Sequence, residues 1–360
     1  MTSCGVLARR GFAKFALAVG CMALASCTPP EGKDFYQGKT VHVVVGYEPG
    51  GGYDSYARLL AKHMAKYIPG RPSIVAQNMP GGGGIGAANY LYNVARKDGT
   101  VWGGVDRNVA VEPILYGKES TAPYENPLVF NWIGSLNTEI GVATVWSATG
   151  IKSWQELLTR PTIVSMESSR GGVAGRALNN ILGTKFEQIC CYGSDSNQNL
   201  ALERGEVEGR VGWSWSSLRA SNMEWLRDGK ITILMQVGLK KNPGIPGDPP
   251  LVLDLAKTEK DRQALKIIFA NQSMGRPFVM PGGVPPERLA EVRKAFWEMV
   301  KDPAFLAEAE RRHLEVSDPM SGEEVQALLK DVYSSPQEAV AAAQNAMKRG
   351  EFKMINNPKE

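Results

Sequence analysis

Two glycine-rich turns limit what this chain can fold into more than any other feature. In the first, an apolar run at 41–45 leads through Pro49 into the glycines 50–52 and then into a helical pattern. In the second, the apolar run at 73–78 leads through Pro80 into the glycines 81–84 and again into a helical pattern. Each turn brings bare backbone N–H groups to the positive end of a helix. Two such turns on neighbouring parallel strands predict one pocket for a small anion.

The rest of the chain repeats this alternation of strands and helices. Strands at 40–47, 73–78 and 100–105 alternate with helices at 53–67 and 85–95, which indicates a parallel sheet covered by helices. Further strands are predicted at 132–136, 140–146, 162–166, 187–192, 209–213 and 231–237. Further helices are predicted at 153–158, 173–182, 197–204, 287–300, 303–313 and 322–348, the last broken near Pro336.

This layout, in which one α/β lobe is interrupted by another, resembles periplasmic binding proteins. We therefore expect an α/β, two-lobed fold, each lobe a mostly parallel sheet flanked by helices, with a hinge between them. The first lobe is predicted to contain residues 38–138 and about 270–360, and the second lobe residues 139–269.

The first 26 residues read as an export signal. Arg9, Arg10 and Lys14 precede an apolar run at 15–24 that is too short to span a membrane. The following Leu-Ala-Ser-Cys resembles a bacterial lipoprotein box, which implies cleavage before Cys27 and acylation of its sulfur. The paired arginines also fit a twin-arginine signal. We expect a periplasmic protein whose residues 27–37 are a tether and whose only membrane contact is this lipid anchor.

Composition excludes several classes of partner. Hydrophobic residues make up 43% and charged residues 22% of the chain, as in soluble globular proteins. The chain has 41 lysines and arginines against 37 acidic residues, and cleavage of the signal would remove three basic residues and no acidic one. The mature chain is thus nearly neutral and has no basic run mixed with aromatic residues, so we expect no nucleic-acid partner.

Cysteines and histidines give no sign of a metal site. After cleavage and acylation only Cys190 and Cys191 remain. Neighbouring cysteines close a disulfide only with strained geometry, so we expect one side chain to pack inward and the other to be incidental. The three histidines are scattered and no zinc spacing occurs. We expect neither a metal nor a cofactor.

The turns resemble a known family. Their motifs, Pro49-Gly50-Gly51-Gly52-Tyr53-Asp54-Ser55-Tyr56-Ala57-Arg58 and Asn78-Met79-Pro80-Gly81-Gly82-Gly83-Gly84-Ile85-Gly86, with a following Asp98-Gly99, are similar to those of Bug-type solute receptors of tripartite tricarboxylate transporters. Weaker matches lie at 200–209 and 281–285. The resemblance covers roughly residues 38–325. It implies a monomeric, non-enzymatic receptor that closes over a small organic acid and delivers it to a membrane permease.

The resemblance also implies which residues hold the acid. In that family one carboxylate is bound largely by backbone N–H groups of the two turns and by ordered waters. Carried onto this sequence, the role belongs to Gly50, Gly51, Gly52, Tyr53, Asp54, Gly81, Gly82, Gly83 and Gly84. The extra glycine at 52, the glycine in place of the usual alanine in the second turn, and an atypical loop at 167–172 bear on which acid is bound.

Other candidates come from strand ends. Arg107 and Arg170 could each meet a second carboxylate as a bidentate fork, or could be ordinary surface arginines. Ser168, Ser169, Tyr192 and Ser194 lie at strand ends of the second lobe, where ligands of parallel sheets bind. Trp213 could form a wall of the pocket or pack in the core. Asp54 is expected to cap the first helix and support the site, because a bare carboxylate would repel an acid.

Two other functions stay open at the level of sequence. The residues Gly81, Gly83 and Gly86, with Asp106 about twenty positions on, also fit a dinucleotide fingerprint. An exported hydrolase is the other alternative, although no G-x-S-x-G elbow, Walker lysine loop or H-E-x-x-H motif occurs. A receptor feeding a sensor instead of a transporter would have the same sequence features.

Overall fold

The structure, a computed structural model, describes residues 34–166, 172–192, 194–348 and 353–354. The predicted signal, Cys27 and most of the tether lie outside these residues, as do Ser168, Ser169 and Arg170. The described residues from 35 onward belong to one compact unit. Of the helices in the described residues, none is both long and apolar enough to cross a membrane.

The strands of the described residues are numbered in chain order. They are β1 (Thr40–Val45), β2 (Ser73–Asn78), β3 (Val101–Gly104), β4 (Asn131–Ser135), β5 (Gly141–Trp146), β6 (Thr162–Ser165), β7 (Phe186–Cys190), β8 (Gly209–Ser214), β9 (Ile231–Val237), β10 (Pro277–Met280), β11 (Met320–Ser321) and β12 (Lys353–Met354).

The α-helices of the described residues are numbered in the same way. They are α1 (Gly52–Met64), α2 (Ile85–Asn93), α3 (Glu112–Tyr116), α4 (Val173–Ala177), α5 (Asp195–Glu203), α6 (Trp215–Ser221), α7 (Met223–Arg227), α8 (Glu259–Phe269), α9 (Pro286–Met299), α10 (Pro303–Arg311), α11 (Gly322–Tyr333) and α12 (Gln337–Met347). Short 3-10 turns include Gly82–Gly84, Arg107–Ala110 and Trp154–Leu158, and α4 continues as a π-helix over Leu178–Leu182.

Two six-stranded sheets carry the fold. The first has the order β11-β4-β10-β3-β1-β2 and the second the order β12-β7-β6-β8-β5-β9. In the first sheet β1, β2 and β3 are parallel, whereas β10 runs antiparallel to β3 and β4. In the second, β6 is parallel to β7 and β8, whereas β5 runs antiparallel to β8 and β9. The α/β fold class is confirmed: in each sheet most strands run in one direction, and antiparallel strands make both sheets mixed.

Apolar side chains pack the helices onto these sheets. On α1 the buried face includes Ala57, Leu60 and Met64, which belong to the same cluster as Trp102 of β3 and Phe278 of β10. The spacing of three and four residues on α1 is the signature of a helix with one face toward a core. This packing fixes the position of α1, and with it the first glycine turn.

Several local predictions can be compared with the observed elements. β2 and β9 have the predicted bounds, and the last helical region is broken as predicted, with α12 starting directly after Pro336. At the predicted helix 153–158, Ser153 and Glu156 form a capping box, but it opens a 3-10 turn instead of an α-helix. Helix α8 was not predicted from the sequence, although Thr258 caps it by accepting the N–H of Asp261.

Up to β11 the chain passes between the two sheets at two places, and a third passage leads from β11 to β12 near the carboxyl end. The first crossing is residues 136–140, between β4 and β5. The second runs from β9 through α8 to β10. Near the carboxyl end, α12 packs on both α8 and α3, and β12 pairs with β7 of the second sheet. The predicted lobe boundaries remain a prediction.

Candidate functional site

Both crossings join the same edge of each sheet. In the first sheet Ser135 pairs with Pro277, and Phe278 with Gly104, so both crossings meet the sheet where β3 ends. In the second sheet Gly141 pairs with Ser214 and with Val237, so both crossings meet the sheet where β8 ends. The carboxyl ends of β1–β3 are therefore connected to the carboxyl ends of β6–β8. Ligands of α/β sheets bind at such edges.

The first turn leaves N–H groups free at the start of α1. Gly51 is the N-cap and no side chain caps the helix. Ser55 N–H donates to Gly51 O, but among the described residues nothing accepts from the N–H groups of Gly51, Gly52 and Tyr53. These donors sit at the positive end of a 13-residue helix. An anion is the natural partner for them.

Asp54 lies inside the first turn of α1 instead of at its cap, and its carboxylate is turned away from these donors. Its Oδ2 accepts the Gly50 N–H and the Arg58 Nε–H, each at 2.8 Å, and its Oδ1 accepts the Asn78 Nδ2–H at 2.8 Å. Asn78 also donates to Tyr47 O at 2.9 Å. Hydrogen bonding from Arg58, above all, lowers the pKa of Asp54 to about 2. Asp54 thus ties the first turn to the end of β2.

The second turn lies directly beside the first. A Cβ on Gly46 would lie 2.9 Å from Gly84 Cα, and a Cβ on Gly84 would lie 2.8 Å from Asp106 Cβ. Gly81 O accepts the N–H groups of Gly84 and Gly86, at 3.1 and 3.4 Å, which closes this turn on itself. Among the described residues nothing accepts from the N–H groups of Gly81 and Gly82. The two sets of free donors therefore lie in adjacent turns.

Aromatic side chains connect these turns to Arg107. The rings of Tyr47 and Tyr53 stack 4.7 Å apart. Tyr47 donates to Asp106 Oδ2 at 2.5 Å, and the Arg107 N–H donates to the Tyr53 oxygen at 3.1 Å. Burial raises the pKa of Tyr53, and the neighbouring Asp106 adds to the rise, so this hydroxyl stays protonated. The structure thus brings Arg107 together with the first turn.

Asp106 itself is not available to a nucleotide ribose. It is buried, and it accepts the Tyr47 hydroxyl and the Asn108 N–H, the latter at 2.7 Å. A dinucleotide site needs the corresponding carboxylate free to bind the ribose. Of the two features that fit a dinucleotide site, only the glycine spacing remains as support.

The described candidates of the second sheet have structural roles as well. Ser194 caps α5 by accepting the Asn197 N–H at 3.2 Å. Trp213 is buried in β8 under the guanidinium of Arg210, at 4.2 Å, and its Nε1 has no hydrogen-bond partner in the described residues. Tyr192 is nearly buried, and its N–H donates to Met166 O at 3.2 Å. All three lie at the carboxyl ends of β7 and β8.

The expectation that one of Cys190 and Cys191 packs inward is confirmed by the buried Cys190, but the expectation that the other is incidental is wrong, because the two sulfurs are bonded to each other. Cys190 is buried at the end of β7, and Cys191 has a φ of 86°, which turns the chain sharply there. This turn ends the strand immediately before Tyr192. The disulfide therefore shapes the same edge as the other second-sheet candidates.

A group of polar residues on the two crossings was not recognised from the sequence. Asn137 lies on the first crossing and Arg276 on the second, and the segments pair through Gly275 N–H to Asn137 O at 2.9 Å and Leu136 N–H to Arg276 O at 3.1 Å. The guanidinium of Arg276 lies over the rings of Tyr53 and Tyr56, at 4.9 and 5.1 Å. The sequence patterns gave Arg276 no role. Its proximity to α1 depends on the pairing of β10.

Comparison with known proteins gives the fold. The chain is similar to a TctC solute-binding protein from Polaromonas, solved without ligand (18% identity, TM-score 0.66, 87% of this chain and 99% of that chain). It is also similar to R. palustris Rpa4515 with adipate (17% identity, TM-score 0.60, 85% of this chain and 97% of that chain). A third similar structure is MatC from Rhodopseudomonas palustris with bound malate (19% identity, TM-score 0.58, 86% of this chain and 99% of that chain). The chain has the fold of these solute-binding proteins.

The fold expected from the resemblance to Bug-type receptors is thus confirmed. The sequence matches no protein-family profile and no curated protein. In the part of the chain that the structure describes, no three His, Cys, Asp or Glu side chains are grouped to hold a metal ion.

Proposed function

We propose that this protein is an extracytoplasmic receptor that captures a small organic carboxylate between its two sheets and delivers it to a membrane permease of the tripartite tricarboxylate type. The observation that carries the proposal is the pair of adjacent turns in which several N–H groups have no acceptor among the described residues, namely those of Gly51, Gly52, Tyr53, Gly81 and Gly82. The related structures with adipate and malate support a carboxylate as the anion. Neutral donors hold it, so binding needs no change of protonation.

The proposal includes where the protein acts and what it does not do. We propose a monomer in the periplasm, anchored through an acylated Cys27, with neither enzymatic activity nor a cofactor. In the described residues no histidine contacts a serine hydroxyl, which leaves the hydrolase alternative without a nucleophile–base pair there. The buried, fully bonded Asp106 argues against the dinucleotide alternative.

A thermal-shift screen tests the proposal. The purified chain beginning at residue 28 is heated with dicarboxylates, tricarboxylates and aromatic acids, with NADH and neutral sugars as comparisons. A ligand at about 100 times its Kd adds about 2.7 kcal/mol of stability, which gives a visible shift. We expect one class of acid to stabilise the protein without being converted. A shift with NADH alone, or turnover of the acid, would contradict the receptor function.

Two glycine variants test the site itself. Gly82→Val places a branched side chain among the free N–H groups of the second turn, and we expect acid binding to be lost. Its control is Gly229→Val, because Gly229 has a similar φ (68° against 57°) and equally open surroundings but lies between α7 and β9. Both variants carry the same backbone strain. If both lose binding equally, or neither does, the second turn is not the site.

A further inference from the structure

A buried amide on the first crossing has no partner. Asn137 is fully buried, and in the described residues neither its Oδ1 nor its Nδ2 forms a hydrogen bond. Its side chain lies against the second crossing, since a Cβ on Gly275 would be only 2.6 Å from Asn137 Oδ1. Burying an amide without a partner is costly. Asn137 therefore points to a partner from outside the chain.

The guanidinium of Arg276 lies close by, at the amino end of α1. A Cβ on Gly52 would be 3.5 Å from Arg276 Nη2. Nη1 donates to Gly275 O at 2.8 Å, whereas Nε is buried and has no partner in the described residues. Gly52 is one of the residues with a free N–H. The positive side chain and the free backbone donors thus face the same place.

The two arginines of this region keep buried donors that have no partner among the described residues. Arg107 also has a buried and unpaired atom, Nη1, and neither Arg107 nor Arg276 forms a salt bridge with a described carboxylate. The nearby acids are already bonded elsewhere. Asp106 accepts from Tyr47 and Asn108, and Glu139 accepts the Ser216 hydroxyl at 2.5 Å and the Ile140 N–H at 3.2 Å. Unused guanidinium donors beside the amino end of a helix favour a carboxylate as their partner.

We propose that Arg276, Arg107 and Asn137 form a second subsite, which binds a second carboxylate of the ligand and selects dicarboxylates over monocarboxylates of equal length. This inference rests on the proposed receptor function. The first carboxylate accepts from the turn N–H groups, and the second from a guanidinium fork and the Asn137 amide, a stronger and more directional contact than neutral N–H donors provide. Side chains thus add selectivity that the backbone turns lack.

Unpaired acceptors lie on the same crossings. Asn271 Oδ1 and Gln272 Oε1 are buried without partners among the described residues, and an acceptor requires a donor. Ordered water supplies donors, so water accompanies the ligand here. If water alone filled the region, Arg276 would act only by packing on Tyr53. That role would affect every acid to the same extent.

Matched pairs of acids separate the two roles. Succinate and butyrate have the same chain length, as do adipate and hexanoate, and each pair differs by one carboxylate. In Arg276→Gln we expect dicarboxylate affinity, measured by calorimetry, to fall about 10- to 100-fold while monocarboxylate affinity changes less than about 3-fold. The control is Arg288→Gln, since Arg288 also stacks on an aromatic ring, Phe35 at 3.7 Å, but donates to Asp98 O, which lies just before β3 begins. It should bind like the wild type.

A second variant covers the case in which Arg276→Gln does not fold. Asn137→Ser removes the amide with a small loss of volume, and we expect it to lower dicarboxylate affinity selectively, about 3- to 10-fold. Equal losses for both acids of a pair, or no loss, overturn the subsite. A wild type that binds monocarboxylates as tightly as dicarboxylates also overturns it, while the receptor function stands. A wild type that binds no acid overturns both proposals.

Discussion

At the scale of a single residue, the buried carboxylate of Asp54 needs an explanation, because it lies beside the proposed anion site. Its oxygens accept hydrogen bonds from the first turn, from Arg58 and from the end of β2, so its charge is balanced and directed away from the free N–H groups. The sequence predicted a supporting role for Asp54 at the helix start. It could not predict the bond to Asn78, which depends on the pairing of β1 with β2.

Replacing Asp54 by asparagine tests this role. The pKa of Asp54 is lowered from 3.8 to about 2, so its ionised form stabilises the fold above about pH 4, and this contribution is lost as the pH falls toward 2. We expect Asp54→Asn to lower the free energy of unfolding by about 1–3 kcal/mol at pH 7. The difference from the wild type should shrink below pH 4.

Urea unfolding at pH 7 and at pH 3 measures both effects. The control is Asp228→Asn, because Asp228 is exposed and its nearest cation, Lys230 Nζ, is 3.8 Å away. That variant should change stability by less than about 0.5 kcal/mol. A difference for Asp54→Asn that stays constant down to pH 3 would mean that the charge of Asp54 is not what matters.

Arg107 and Arg276 show, also at the scale of single residues, how far site residues can be predicted from the sequence. Arg107 could be named as a candidate because it directly follows a predicted strand, and local order is enough to place it there. Arg276 could not, since it precedes β10, and the position of β10 between β3 and β4 is set by antiparallel pairing across more than 140 residues. Local patterns carry no information about such pairing.

At the scale of elements, the strand–turn–helix units were the most predictable part of the fold. β1, β2, α1 and α2 follow from apolar runs punctuated by proline and glycine. Strand direction was not predictable, because β5 and β10 have the same apolar pattern whichever way they run. Their antiparallel direction comes from the two crossings between the sheets, which the sequence indicated only in outline.

The close approach of the second turn to Asp106 can be tested with a pair of glycines. Gly50 and Gly84 have nearly equal φ values, 85° and 90°, so alanine introduces similar backbone strain at both, about 1–2 kcal/mol. Only at Gly84 would the added Cβ meet another group, Asp106 Cβ at 2.8 Å, whereas Gly50 has open space. We expect Gly84→Ala to lower the free energy of unfolding by about 1–3 kcal/mol more than Gly50→Ala. Equal losses in denaturant titrations would contradict the close approach of the second turn to Asp106.

At the scale of the whole molecule, the crossings form a paired ribbon between the sheets. Besides the bonds of Asn137 and Arg276, Glu139 N–H donates to Gln272 O at 2.8 Å and Asn271 Nδ2 donates to Asn108 Oδ1 at 2.6 Å. We expect such a ribbon to act as a hinge that lets the two sheets, with their helices, rotate while the chain between them stays bonded. We therefore expect ligand binding to close the parts over the acid. The free donors of the first sheet and the strand ends of the second would then meet on one ligand.

The distribution of titratable groups over the molecule predicts how binding depends on pH. Histidine is the side chain that ordinarily changes charge between pH 5 and 8, and none of the three lies in the site. His42 is within β1, His63 bonds Glu308 at 2.8 Å, and His313 follows α10. At the site, the pKa of Asp54 lies near 2, and burial raises that of Tyr53. The acid ligand is itself fully ionised above about pH 6.

We therefore expect the affinity for the acid to change less than about 3-fold between pH 6 and 8, because neither ligand nor site changes charge there. Calorimetry at pH 6, 7 and 8, at constant ionic strength, measures it. His63→Gln is the matched control, since it removes the histidine of α1, the helix that carries the first turn, and should leave the profile flat. A tenfold loss across this range would show that a titrating group takes part in binding, and that donors with fixed charge are not the whole of the site.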